Sequence, residues 1–164
     1  MLQWSSMMHF VQGFRVRISV KNREKWVAAA ATVLAIIVFA ILCATQLSRW
    51  SVWFDESFTH YLIKFNFFDI AKWTASDVHP PLFYWSLKVW GIVFGTSAVA
   101  LRSMSVLFGA AVIVLAFILT RKLFGKKAGY LALPLLVFSP ILLRYSIEMR
   151  MYTMVAAIIF AQIL

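Results

Sequence analysis

From Trp26 to Ser48 the chain carries no charged side chain. An α-helix needs about 20 apolar residues to cross a bilayer core, and this run exceeds that. A cleaved signal peptide has a shorter apolar core, roughly 7–15 residues, and ends in a small-residue A-x-A site; neither feature is present. The run reads as an uncleaved first span over 26–48. Ala98–Thr120 follows with Arg102 as its only charge, then Ala128–Leu143 with none, then Met151–Leu164 with none. A chain built this way is an all-α polytopic membrane protein. Its composition agrees: 63% of the 164 residues are hydrophobic and 13% charged, against roughly half and a quarter in soluble domains.

The net charge of +10 does not signal nucleic acid. The basic residues gather at Arg15–Lys25 and Arg121–Lys127, each beside an apolar run, which is how topology signals are distributed. Residues 1–25 form a basic cytoplasmic N-terminus, either as an amphipathic surface helix carrying Phe10, Val11, Phe14 and Ile18 on one face or as an unstructured basic tail. The first span then carries residues 49–96 to the outer side. The apolar run at 80–95 is short, starts with Pro80-Pro81 and has Lys88 in its middle. If it crossed, the Arg121–Lys127 cluster would fall outside, against the positive-inside rule. It is therefore expected to lie in the interface. The spans become 26–48, 97–120 and 128–144, with 121–127 a cytoplasmic turn and 145–164 an outer turn that leads into a fourth span. Cys43 stands alone inside the first span and packs as a small hydrophobe.

Four of the six acidic residues, Asp55, Glu56, Asp69 and Asp77, fall between Trp53 and Tyr84, with His60 and His79. Phe58, Tyr61, Leu62 and Phe65 recur at helical spacing. A helix lying on the membrane would have Asp55 as its cap and Glu56, His60 and Lys64 along a polar stripe. Adjacent carboxylates at a helix start serve capping and the helix dipole, or one of them is a general base at the membrane surface. His79-Pro80-Pro81 reads as a rigid turn, with Asp77 and His79 able to meet a polar head group. No two-His spacing of the zinc-enzyme kind is present, so no cofactor is assigned; a divalent cation among these carboxylates and histidines is the one alternative. Arg102, Arg144 and Arg150 sit at span ends on the same predicted side. Such arginines either snorkel to the interface or face a partner, and their planar fork suits a lipid phosphate. Tyr145, Glu148 and Tyr152 either hold the arginines or belong to the aromatic belt.

The motifs FDE at 54–56, DVHPPLFY at 77–84, ALR at 100–102, LFG at 123–125, SP at 139–140 and EMRMY at 148–152 together resemble the protein mannosyltransferase and aminoarabinose transferase group. These are the family 39-like membrane glycosyltransferases of the GT-C fold, and the likeness runs from Trp53 to Tyr152. It implies GT-C type N-terminal helices, with interfacial helices in the first outer loop, in a multi-pass cell-membrane enzyme. That enzyme takes a sugar from a polyprenyl phosphate carrier at the outer face. It also implies Asp55 as the catalytic base with Glu56 beside it. His79, Arg102, Arg144, Glu148, Arg150 and Tyr152 follow as substrate-binding candidates, Arg102 holding either the carrier phosphate or the acidic loop. Family members have more spans, so the chain is expected to be an N-terminal portion that works with a missing remainder or a C-terminal partner. Membrane lipids and the sugar donor are the expected partners; the acceptor is left open. A non-catalytic membrane module that binds lipid phosphate or a partner subunit is the alternative.

Overall fold

A computed structural model describes residues 2–76 and 79–164, with side chains from Asn22 onward. All regular structure among these residues is helical. Residues up to Leu34 make one compact unit and Ala35–Leu164 a second. The first is a stretch of α1, which runs unbroken over Leu2–Leu47. The basic segment is therefore helical in its backbone, because no proline interrupts the sequence between it and the span. Asn22–Leu47 is the part long and apolar enough to cross a membrane. Within it Trp26, Val33, Leu34, Ile37 and Ile41 are exposed, as lipid-facing side chains of a span are.

In the second unit α2 (Phe54–Leu62), α3 (Phe67–Ala75) and α4 (Leu82–Phe94) stand between α1 and α5 (Ala98–Phe124). Asn66 caps α3, its side chain accepting from the Asp69 N–H at 2.8 Å, which satisfies one free N–H of the first turn, while its amide donates to the Asp69 carboxylate at 2.8 Å. At 13 residues, α4 is about 20 Å long, too short for a bilayer core of about 30 Å. Its polar atoms are aimed at neighbouring backbone. Lys88 Nζ donates to the Ile63 carbonyl at 2.9 Å, Trp85 Nε1 to Phe67 O at 2.9 Å and Trp90 Nε1 to Ala100 O at 2.9 Å. The lysine that breaks the apolar run thus ends α2 rather than facing water.

The helix α5 has Ser97 as its cap and Gly125, at φ 88°, as its stop; a glycine suits that left-handed angle, which costs an L side chain. The region expected to be one span at 128–144 is a bent pair, α6 (Lys126–Val137) and α7 (Pro140–Ser146), with 56° between them. The break has a local cause. Pro140 has no N–H and its ring clashes with the preceding turn, and Ser139 caps the new helix by accepting from Leu142 N. After a turn at 147–151 comes α8 (Tyr152–Ile163). Counting the bent pair as one, three helical segments among the described residues are long and apolar enough to cross a membrane.

Helix α5 is the hub, packed against α4, α6, α7 and α8. One apolar cluster joins Leu62, Ile63 and Ile70 of the α2–α3 region, Phe83, Tyr84 and Leu87 of α4, Leu101 and Met104 of α5, and Met149 and Met154. Each such side chain contributes about 1.5–3 kcal/mol on full burial. This cluster fixes the short helices to the N-terminal end of α5, where every unusual charge is found.

Candidate functional site at the polar end of α5

Glu56 is completely buried and Arg102 is 2% exposed. Their side chains meet fork to fork, Nε to Oε1 at 2.9 Å and Nη2 to Oε2 at 2.6 Å. Arg102 Nη1 donates to the carbonyls of Leu47 at 2.7 Å and Trp50 at 2.9 Å, and Nη2 also reaches Ser51 O at 3.4 Å. All five guanidinium donors are thereby engaged, three of them on the carbonyls that α1 and the segment after it leave free. The remaining capacity of Glu56 Oε1 is taken by the Met149 N–H at 2.9 Å. One buried ion pair therefore ties together the end of α1, the start of α2, α5 and the 147–151 turn.

This geometry corrects the expectations for three residues. Arg102 does not snorkel: its buried guanidinium is engaged by Glu56 of the acidic loop and by the carbonyls of Leu47, Trp50 and Ser51. Glu56 is not on a polar stripe: it is fully buried, its Oε1 accepting from Arg102 Nε and Met149 N–H and its Oε2 from Arg102 Nη2. The buried face of α2 is Glu56, Thr59 and Leu62, while Phe54, Phe58 and Tyr61 are exposed. A buried arginine opposite an otherwise apolar helix outweighs the simple apolar period, since an unpaired charge there is very costly. Asp55 is not the cap of α2: Trp53 holds that position without a side-chain bond. Asp55 sits within the first turn, 34% exposed, with its carboxylate 3.5 Å from Arg150 Nη2.

Arg150 is 8% exposed in its side chain, and its Nε is buried without a partner among the described residues. The guanidinium lies 5.8 Å from the Tyr152 ring, which stacks against Tyr145 at 4.5 Å. A cleft of about 260 Å3 begins at these tyrosines and runs between apolar side chains that include Val112, Leu136 and Leu142. On the other flank Arg144, 52% exposed, donates from Nε to Glu148 Oε1 at 2.8 Å and lies over Trp50. Glu148 is nearly buried, and desolvation holds its carboxyl above the ordinary carboxylate range; Arg144 opposes that rise, and the nearby Glu56 charge adds to it. Trp50, Trp53, Glu56, Arg102, Arg144 and Glu148 surround a cavity of about 130 Å3, space for a few waters.

The structure thus brings Asp55, Glu56, Arg102, Arg144, Glu148, Arg150 and Tyr152 to one end of α5. His79 is half-buried in the turn before α4, next to Pro80, which lines an apolar cleft with Leu82, Phe83, Met151 and Met154. Asp77 lies outside the described residues. Among the described residues no three His, Cys, Asp or Glu side chains converge as cation ligands. Sequence reasoning missed Ser105, buried, whose hydroxyl donates to Glu148 O at 2.6 Å, and it missed the backbone partners at Leu47, Trp50 and Met149. The backbone atoms have no sequence signal; Ser105 had a faint one, a polar residue one turn after Arg102 in an apolar span.

Residues 78–164, more than half of the chain, match the dolichyl-phosphate-mannose-protein mannosyltransferase family. The chain belongs to that family. It is therefore a member of a group of GT-C membrane glycosyltransferases, as the motifs implied. No curated protein and no solved structure matches the chain. The matched mannosyltransferase region contains Arg102, Arg144, Glu148, Arg150 and Tyr152 but not the acidic pair. Contact through Arg102, Met149 and Arg150 is what attaches Asp55 and Glu56 to it.

Proposed function

We infer that this chain carries the base and a phosphate-contacting arginine of a glycosyl transfer from a polyprenyl-phosphate-linked sugar, at the outer face of the cell membrane. One observation carries the reading: Asp55, a partly exposed carboxylate, stands beside Arg150, a nearly buried arginine whose Nε has no partner among the described residues. A structural ion pair would be closer and its donors spent, as in Glu56–Arg102. A pair held at 3.5 Å with donors to spare can open around a ligand.

In this reading Asp55 accepts the proton of an acceptor hydroxyl or amine. The acceptor atom bonds to the anomeric carbon as the carbon–oxygen bond to phosphate breaks. The phosphate leaves with the bonding electrons, and Arg150 takes up the charge that develops on it. Arg144, half exposed, paired through Nε with Glu148 and lying over Trp50, stands ready as a second phosphate contact. The cleft beside Tyr152 is lined mostly by apolar side chains, which suits the first isoprene units of the carrier. The basic clusters at 15–25 and 121–127 support a cytoplasmic N-terminus, and hence an outward-facing site.

Arginine 150 offers the most specific check. In native membranes supplied with a radiolabelled polyprenyl-phosphate sugar, Arg150→Gln should raise the KM for donor by about 5- to 100-fold, as expected for losing a charged hydrogen bond of ~1–3 kcal/mol. An unchanged KM at matched protein level removes Arg150 from the donor site.

A further inference from the structure

The side chain of Arg150 is poorly anchored for a residue so deeply placed. Among the described residues it has one long ion pair, one ring contact and an unpartnered Nε. What fixes it is the backbone beneath it. Ser105 Oγ, fully buried on α5, donates to Glu148 O at 2.6 Å and approaches Arg150 O at 3.5 Å. Thr153 Oγ1, at the start of α8, donates to the Ser105 carbonyl at 3.1 Å. The turn between α7 and α8 is thus pinned to one residue of α5 from both of its ends.

Arg102, which fixes α2 through Glu56, lies three residues earlier on the same helix. Residues at i and i+3 share a helix face. One turn of α5 therefore sets two things, the place of Asp55 through Arg102 and Glu56, and the place of Arg150 through Ser105. The Met149 N–H on Glu56 closes the loop between them. We propose that Ser105 is a positioning residue which holds Arg150 at its working distance from Asp55; this rests on the reading of that pair as base and phosphate contact. Ser105 touches no reacting atom. Its hydroxyl is a spacer between the two halves of the site, and an alanine there frees the turn to drift.

The test reads geometry and activity separately. Asp55→Cys and Arg150→Cys are introduced together, with the buried Cys43 replaced by alanine, and the pair is joined in native membranes by a short bis-thiol reagent. Adding Ser105→Ala should slow the cross-link per folded molecule. In the otherwise unchanged protein, Ser105→Ala should lower kcat/KM for the donor by about 10- to 100-fold, the scale of a displacement near 1 Å, while leaving the membrane level near normal. An unchanged cross-linking rate overturns the proposal whatever the activity does. So does a loss of activity that tracks only a loss of folded protein. Slower cross-linking alongside full transfer by Asp55→Asn leaves the spacer intact and refutes the assignment of the base instead.

Discussion

Two adjacent carboxylates, Asp55 and Glu56, do unlike things because their surroundings differ. Glu56 has a saturated, buried partner; Asp55 has a third of its surface open and a distant one. The sequence shows a pair and cannot assign the roles, since burial depends on Arg102, 46 residues away. The account predicts unequal responses. Glu56→Gln leaves a buried guanidinium short of its counter-charge, and breaking such a pair costs about 3–5 kcal/mol. The variant should therefore show a large drop in melting temperature in detergent and a low membrane level. A Glu56→Gln protein as stable as the parent would mean that the ion pair does not hold α2 in place. Exchanging Glu56→Gln together with Arg102→Met should recover part of the loss, because neither charge is then left unpaired.

The helices were largely legible. Long apolar runs mark α1, α5 and α8, and Pro140 marks the end of α6, although the run from 128 to 144 looked like one straight span. Its bend was hidden because hydropathy does not register the Ser139 cap. On α2 the apolar period pointed at the wrong face, since one buried salt bridge outranks several aromatic side chains that lipid accepts equally well. Ser105 left only a faint signal for the reason that makes it effective: a lone hydroxyl in a span finds its partners only in the folded bundle. Close packing between elements also rests on Gly109 of α5, where a Cβ would meet Ser146 Oγ and would come within 2.8 Å of Phe39 Cζ on α1. Gly109→Ala should destabilise the protein by about 1–3 kcal/mol through overpacking, visible as a lower melting temperature. A neutral effect would show that α1 and α7 can give way at that crossing.

Across the molecule, charge is sorted by end. Arg102 opens α5 beside the acidic and arginine-rich cluster, and Arg121 and Lys122 close it about 20 residues on, about 30 Å away at 1.5 Å per residue. Only the first of these ends combines carboxylates, partly committed arginines and an apolar cleft, which is the combination that a charged head group on a hydrocarbon tail requires. The most direct measurement is sugar transfer in native membranes by Asp55→Asn against the parent, at matched protein level and with melting temperatures compared. Asn keeps the shape of the side chain and removes the proton-accepting charge, and Asp55 is neither buried nor the cap of α2, so folding should persist. Transfer should fall by about 100-fold or more, the scale of losing a general base; transfer within a small factor of the parent would contradict Asp55 as the base.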